Sequence, residues 1–184
     1  MDDVQAIHRL KHADIGGLDI LVTRYQVKAV RTAFLITHDE PMAEDVVQDT
    51  FIRIFQRIRQ FDEKRPFEPY FMRCVVNAAL NAIQKKAKDA QFDSGTNMDE
   101  LEALLNHAAS VEEQVEFAQL KGEILAALDK LSARQRAAVV QRYYLGMSEK
   151  EMANNLETAP GTVKWLLNAA RTRLRELLHE RSAK

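Results

Sequence analysis

Residues 128–177 read LDKLSARQRAAVVQRYYLGMSEKEMANNLETAPGTVKWLLNAARTRLREL, and this stretch decides the fold of the C-terminal part of the chain. Ser132 with Gln135, and Ser148 with Glu151, match the reciprocal capping box, in which two side chains satisfy backbone amides at a helix start. Gly146 suits the left-handed conformation that ends a helix. The predicted helices cover 133–145, 149–156 and 160–180.

The last two of these helices are separated by a short turn at 158–161, which is the layout of a helix-turn-helix. In that motif the second helix enters the DNA major groove. Its outward row consists of Lys164, Asn168, Arg171 and Arg175, flanked by Trp165 and Thr172. Lysine and arginine can contact phosphate or guanine, and asparagine can pair with adenine. The pattern therefore predicts a DNA-contacting face.

The rest of the chain also has a helical pattern, because apolar residues recur at spacings of three and four and no segment alternates as a strand does. Asp39 as a cap, followed by Pro41 as an early helical proline, marks one helix start. The sequence therefore predicts an all-α fold. The further predicted helices cover 3–13, 18–37, 40–60, 67–88 and 111–130, with a short one near 99–107.

Charge is distributed unevenly along the chain, although the net charge is only -1. Residues 89–116 hold eight acidic residues and no lysine or arginine, whereas residues 160–184 hold six basic and two acidic residues. The near-neutral total argues against coating of nucleic acid through bulk positive charge. Since 88–110 lacks a sustained apolar face, we expect two helical domains, 1–88 and 111–184, joined by an acidic linker at 89–110.

Two surfaces of the N-terminal domain have two possible interpretations each. On the helix at 40–60, Ile52 stands among acids and amides opposite the apolar stripe, which fits either a solvated face or a protein-docking face. The loop FDEKRPF at 61–67 and the outer row of the helix at 67–88 mix aromatic, amide and cationic side chains. Such a mixture suits single-stranded nucleic acid, but it also fits a solvated basic helix whose loop aromatics pack in the core.

Several classes of protein are not indicated. The chain has no phosphate-binding glycine loop, no HExxH motif, no cluster of Cys and His, and no recognisable nucleophile signature, so we expect no enzyme, no metal and no cofactor. The single cysteine, Cys74, suits a reducing compartment. The acidic start MDDVQAIHRL and the lack of an apolar run of roughly 18 residues predict a cytoplasmic protein.

Two segments resemble the extracytoplasmic-function group of the sigma-70 family of bacterial RNA polymerase sigma factors. AEDVVQDTFIRIF (43–55) and FDEKRPFEPYFMRCVVNAALNAIQKK (61–86) look like the family's region two, and 128–177 looks like its region four. The resemblance covers nearly the whole chain. It implies a factor that binds core RNA polymerase and directs promoter recognition and opening, with promoter DNA, both duplex and melted, and an anti-sigma factor as further partners.

The resemblance also implies roles for particular residues. The residues expected to dock on core polymerase are Asp45, Gln48, Asp49 and Ile52. Those expected at the minus-ten element are Phe61, Lys64, Arg65, Arg73 and Asn77. Those expected at the minus-thirty-five element are Thr162, Lys164, Trp165, Asn168 and Arg171. Leu166 and Ala169 depart from the family, since many members carry Arg there, and Ala159 replaces the usual hydroxyl cap, which is typically worth about 1 kcal/mol.

Two other functions remain as alternatives at this point. A sigma-like decoy would bind an anti-sigma factor without directing transcription, but the basic final helix argues against it. A dimeric helix-turn-helix repressor would have no reason to carry AEDVVQDTF together with FDEKRPF.

Overall fold

The computed structural model describes residues 2–89, 122 and 124–182, and every regular element within those ranges is helical, as the sequence predicts. The chain divides into two compact units, Met1–Gln84 and Lys85–Lys184. The predicted helix at 99–107, most of the acidic linker and the first part of the helix at 111–130 lie outside the described residues. The N-terminal helices are α1 (Asp3–Lys11), α2 (Gly16–Thr37), α3 (Glu40–Arg57) and α4 (Phe67–Asp89). The C-terminal helices, after a helical stretch at 124–129, are α5 (Ala133–Val139), α6 (Glu149–Asn155) and α7 (Pro160–Ser182).

Aromatic rings form the core of the N-terminal unit. Phe71 of α4 is fully buried; its ring centroid lies 4.5 Å from that of Phe51 on α3 and 6.0 Å from that of Tyr25 on α2. Because α4 contacts both α2 and α3, its buried face is wider than the predicted stripe. It also includes Met72, Val76 and Leu80.

The start of α3 follows the sequence prediction and its end does not. Asp39 Oδ1 accepts a hydrogen bond of 2.9 Å from the Met42 amide, and Pro41 lies in the first turn. The α-helix ends at Arg57, and Ile58–Gln60 forms a 3-10 turn in which the Phe61 amide donates to the Ile58 carbonyl. The predicted helix 40–60 was therefore one turn too long, since the tighter turn buries Ile58 while directing the chain into the loop before α4.

The C-terminal unit has both predicted capping boxes, at Ser132 and Ser148, and Gly146 adopts the predicted left-handed conformation with φ of 68°. The prediction of one α-helix over 133–145 was wrong in its second half. Residues Val140–Tyr144 form a wider π-helical turn, in which the Leu145 amide donates to the Val140 carbonyl.

A buried amide pair connects this π-helical turn to α6. Gln141 is fully buried; its Nε2 donates to the Ala137 carbonyl, and its Oε1 accepts a 2.7 Å hydrogen bond from Asn155 Nδ2. The inward position of Gln141 satisfies polar groups that would otherwise be costly to bury. The pair therefore fixes α6 against the end of α5, in the unit that carries α7.

Candidate DNA and protein interfaces

The outward face of α3 is formed by the residues that the sequence predicts. Asp45, Gln48, Asp49 and Ile52 are all exposed, and the apolar stripe on the other side is buried. The Asp49 carboxylate lies 3.8 Å from the Arg53 guanidinium, which is a long contact for an ion pair. The exposed ring of Phe55 adds a second apolar side chain to this face, one turn from Ile52. Sequence reasoning missed Phe55, although its spacing of three from Ile52 was a usable signal.

The loop between α3 and α4 presents its cations but not its first aromatic ring. Lys64 and Arg65 are exposed. Phe61 is only 8% exposed, and its ring packs against those of Phe67, at 5.7 Å, and Tyr70, at 4.9 Å. Of the two interpretations of this loop, the one in which its aromatic rings pack in the core holds for Phe61 and Phe67. Tyr70, beside them, is the aromatic side chain that reaches the surface.

A short hydrogen-bonded turn sets the shape of this loop. Asp62 Oδ1 accepts from the Lys64 amide and the Asp62 carbonyl accepts from the Arg65 amide, both at 3.0 Å. The Arg65 side chain also lies 3.6 Å from the Asp62 carboxylate. Arg73, on the first half of α4, is exposed, and Asn77, one turn further on, is half-buried. These cations form an open basic surface at the start of α4.

Cys74 lies on α4 beside this surface. Burial raises the pKa of the Cys74 thiol above its ordinary value, although the hydrogen bond with Tyr70 and the charge of Arg73 oppose the shift. The pKa of the Tyr70 hydroxyl is raised as well, mainly by burial. A protonated thiol is a weak nucleophile at neutral pH. This arrangement fits a packing role for Cys74.

The outward face of α7 is formed largely as the sequence predicts. Lys164, Asn168 and Arg171 are exposed, Thr162 is half-buried, and the indole of Trp165 is 65% exposed. Lys164 Nζ lies 3.9 Å from a Glu149 carboxylate oxygen on α6. Leu166 is buried in the core instead, and Ala169 is half-buried.

Arg171 is held in place by two neighbours. Its Nε donates a 2.8 Å hydrogen bond to Tyr143 Oη, and its Nη1 lies 3.4 Å from Asn168 Oδ1. The guanidinium carbon also lies 5.9 Å from the centre of the Tyr143 ring, within the range of a cation–π contact. Sequence reasoning missed Tyr143, because its outward position depends on the π-helical turn.

Two features are absent from the described residues. No group of three or more His, Cys, Asp or Glu side chains within 2–89 and 124–182 could hold a metal ion. Over the same residues, no helix is long and apolar enough to cross a membrane.

The fold and the exposed basic row of α7 define a helix-turn-helix protein of the DNA-binding class, and comparisons with known proteins identify the family. The protein-family model described as "Sigma-70 region 2" matches residues 21–89, and the model described as "Sigma-70, region 4" matches residues 121–174. The RNA polymerase sigma-H factor of Pseudomonas aeruginosa is 27% identical over 183 residues, which cover 92% of this chain and 90% of that protein. The ECF RNA polymerase sigma factor SigL of Mycobacterium tuberculosis is 32% identical over 151 residues, or 82% of each chain.

A solved structure agrees at the level of the fold. The sigma factor RpoE of Bartonella quintana, in complex with the anti-sigma factor NepR, matches with a TM-score of 0.67 and 22% identity, covering 88% of this chain and 96% of that one. The chain belongs to the extracytoplasmic-function group of the sigma-70 family. It is thus a non-enzymatic sigma factor, which binds core RNA polymerase and promoter DNA, and the predicted family and fold class are confirmed.

Proposed function

We propose that three separate surfaces of this sigma factor divide the work of promoter recognition. The α3 face docks on core polymerase, the loop before α4 and the start of α4 contact the minus-ten element, and α7 reads the minus-thirty-five element. The observation that carries this assignment is that nearly all the polar residues concerned are exposed, while the apolar stripes of the same helices are buried. Stacking and hydrogen bonds to unpaired bases offset a few kcal/mol of unpairing, so that no hydrolysis is needed.

For the polymerase contact, the proposal rests on Asp45, Asp49 and Ile52, with Gln48 on the same row. An apolar side chain ringed by acids is suited to a partner surface with basic and apolar groups. We expect Asp45→Lys together with Asp49→Lys to weaken binding to core polymerase in a pull-down. A control for a single charge reversal is Asp19→Lys on α2, since Asp19 is an exposed acid elsewhere in the same unit; it is compared with Asp45→Lys and Asp49→Lys made one at a time. Equal binding by the reversed and control proteins would remove the α3 face from the proposal.

For the minus-ten contact, the cations Lys64, Arg65 and Arg73 attract the phosphate backbone, and half-buried Asn77 supplies an amide. Phe61 contributes indirectly, because its ring is buried and packs against the ring of Tyr70, which is exposed. We expect Lys64→Ala with Arg65→Ala to reduce holoenzyme binding to single-stranded minus-ten DNA. No change in that binding would contradict the assignment of the loop.

For the minus-thirty-five contact, Lys164, Asn168 and Arg171 face outward, with Trp165 and Thr162 beside them. Asn168→Ala should lose sequence discrimination, whereas Arg171→Ala should mainly lower affinity and the dependence of binding on salt. Arg173→Ala is the control on the same helix, because Arg173 is exposed and pairs with Glu176 at 3.3 Å. An equal loss on every promoter sequence in Asn168→Ala would refute its role in base reading.

The proposal extends to domain limits, location and regulation. Residues 1–88 would form the unit for polymerase and the minus-ten element, residues 111–184 the unit for the minus-thirty-five element, and residues 89–110 an acidic linker that follows the path toward the RNA exit. The factor would act in the cytoplasm. Because RpoE of Bartonella quintana is held in complex with the anti-sigma factor NepR, we also propose an anti-sigma partner here. Transcription directed by the purified chain would argue against the decoy alternative.

A further inference from the structure

The first helix, α1, makes an ion-paired contact with the loop between α3 and α4. Lys11 Nζ donates a 2.7 Å hydrogen bond to the carbonyl oxygen of Phe61 and lies 2.9 Å from Glu63 Oε1. Both the lysine and the glutamate are half-buried. The matched region 2 segment begins at residue 21, so α1 lies before it. The sequence features that define region 2 therefore do not account for this contact.

The contact lies at the point where the loop leaves the 3-10 turn. Phe61 donates its amide to Ile58 and accepts from Lys11 through its carbonyl, so both of its backbone polar groups are fixed. The next residue, Asp62, starts the turn that presents Lys64 and Arg65. The Phe61 backbone is thus held from α1, on one side of the loop, while its ring is held by the core.

We infer that Lys11 is a positioning residue for the minus-ten loop. This inference rests on the proposed function of Lys64 and Arg65. A loop that is already ordered in the free protein loses less conformational freedom when it binds a single strand, and so it binds more tightly. Lys11 contacts the loop backbone and Glu63 and makes no direct contact with DNA in this account.

A second ion-paired lysine in the same unit is available for comparison. Lys28 of α2 pairs with Glu68 in the first turn of α4, across a similar sequence distance, but within the described part of the chain it makes no hydrogen bond to the loop backbone. Lys28→Met and Lys11→Met both remove one charge and keep most of the aliphatic stem. Only Lys11→Met removes the hydrogen bond to the Phe61 carbonyl. The two variants therefore separate loop positioning from the general loss of an ion pair.

The test uses holoenzyme reconstituted from full-length variants and core polymerase. The probes are a fork-shaped promoter DNA with a duplex minus-thirty-five element and a single-stranded minus-ten segment, and a duplex that carries the minus-thirty-five element alone. Lys11→Met should weaken binding to the fork by about fivefold, the scale of losing one charge-assisted hydrogen bond in a partly exposed site. Binding to the duplex should stay unchanged. Lys28→Met should leave binding to both probes intact, and Lys11→Arg should restore part of the affinity for the fork.

A second measurement does not depend on DNA. Amide hydrogen exchange of the free chain should speed up at residues 62–65 in Lys11→Met while α3 and α4 keep their protection. Unchanged exchange in the loop, or an equal loss of affinity for the fork in Lys28→Met, would overturn the inference.

The double variant Lys64→Ala with Arg65→Ala separates the proposed role of the loop from the positioning role of Lys11. If it weakens binding to the fork and Lys11→Met does not, the loop assignment stands and the role of Lys11 is refuted. If the double variant has no effect, the proposed function of the loop has failed, and the inference falls with it.

Discussion

The hydrogen bond between Tyr143 and Arg171 gives a prediction about how α7 recognises DNA. Arg171 has a long flexible side chain, and fixing such a chain costs up to about 2 kcal/mol of conformational free energy. Tyr143 Oη already fixes the guanidinium at Nε, with a 2.8 Å contact. Tyr143→Phe removes the hydroxyl and keeps the ring. We therefore expect weaker binding to the minus-thirty-five element with an otherwise unchanged fold.

The magnitude follows from the geometry of the pair. A net intramolecular hydrogen bond contributes about 0.5–1.5 kcal/mol, or roughly twofold to tenfold in affinity. Since Tyr143 is 61% exposed and Arg171 is also exposed, water competes for the bond. The expected loss is therefore near the lower end, about threefold. The cation–π contact with the ring should survive in the phenylalanine variant, although weakened.

The assay measures holoenzyme affinity for duplex promoter DNA over a series of salt concentrations. Tyr144→Phe is the control, because Tyr144 is the adjacent exposed tyrosine and no hydrogen bond from its hydroxyl is present in the described residues. In an Arg171→Ala background, Tyr143→Phe should have no further effect, as a double-mutant cycle requires for a coupled pair. Additive losses, or an equal loss in Tyr144→Phe, would refute the reasoning.

Three further predictions concern stability and reactivity. Hydrogen bonds from Ser148 lower the pKa of the Glu151 carboxyl, so the cap of α6 should be complete above the ordinary pKa of 4.5 and lost as the pH falls through the lowered pKa. An NMR pH titration of the α6 amides should show this loss, and Glu151→Gln should abolish the pH dependence. Asn155→Ala should lower the free energy of unfolding by about 1 kcal/mol, the lower end of the range for an orphaned acceptor. The change deprives Gln141 Oε1 of its donor, but it also removes Asn155 Oδ1, which has no hydrogen-bond partner among the described residues. Hydrogen exchange across α5 and α6 measures the loss, and unchanged exchange would contradict it. Cys74 should react with iodoacetamide at neutral pH more slowly than a free cysteine peptide, because burial raises its pKa; a faster rate would be inconsistent with this environment.

Periodicity and capping explain most of the helical architecture. The apolar stripe of α3 and the caps at Asp39, Ser132 and Ser148 depend on residues a few positions apart, so a single sequence is enough to predict them. The end of α3 and the second half of the helix at 133–145 were predicted wrongly. Ile58 lies four residues after Ile54 on the buried stripe of α3, so its burial follows the helical period, whereas the change to a tighter turn at Ile58–Gln60 does not. Gln141 turns inward to pair with Asn155, a tertiary contact that a helical period does not encode.

The candidate surfaces show the same division. The outward rows of α3 and α7 follow from helical spacing, so their exposure could be anticipated. The sequence left the burial of Phe61 open between two interpretations, because it depends on Phe67 and Tyr70 meeting its ring in space. The contact of Lys11 with Phe61 joins residues fifty positions apart and leaves no local trace in the sequence.

Promoter specificity conferred on RNA polymerase by this single chain underlies every role proposed for its surfaces. Transcription in vitro with purified bacterial core polymerase and a library of promoters, with and without the full chain, measures that specificity. Transcripts should start at a defined subset of promoters when the chain is added, and the Asp45→Lys, Asp49→Lys protein should fail to support them. Core polymerase that initiates no more selectively with the chain than without it would show that the chain does not confer promoter specificity.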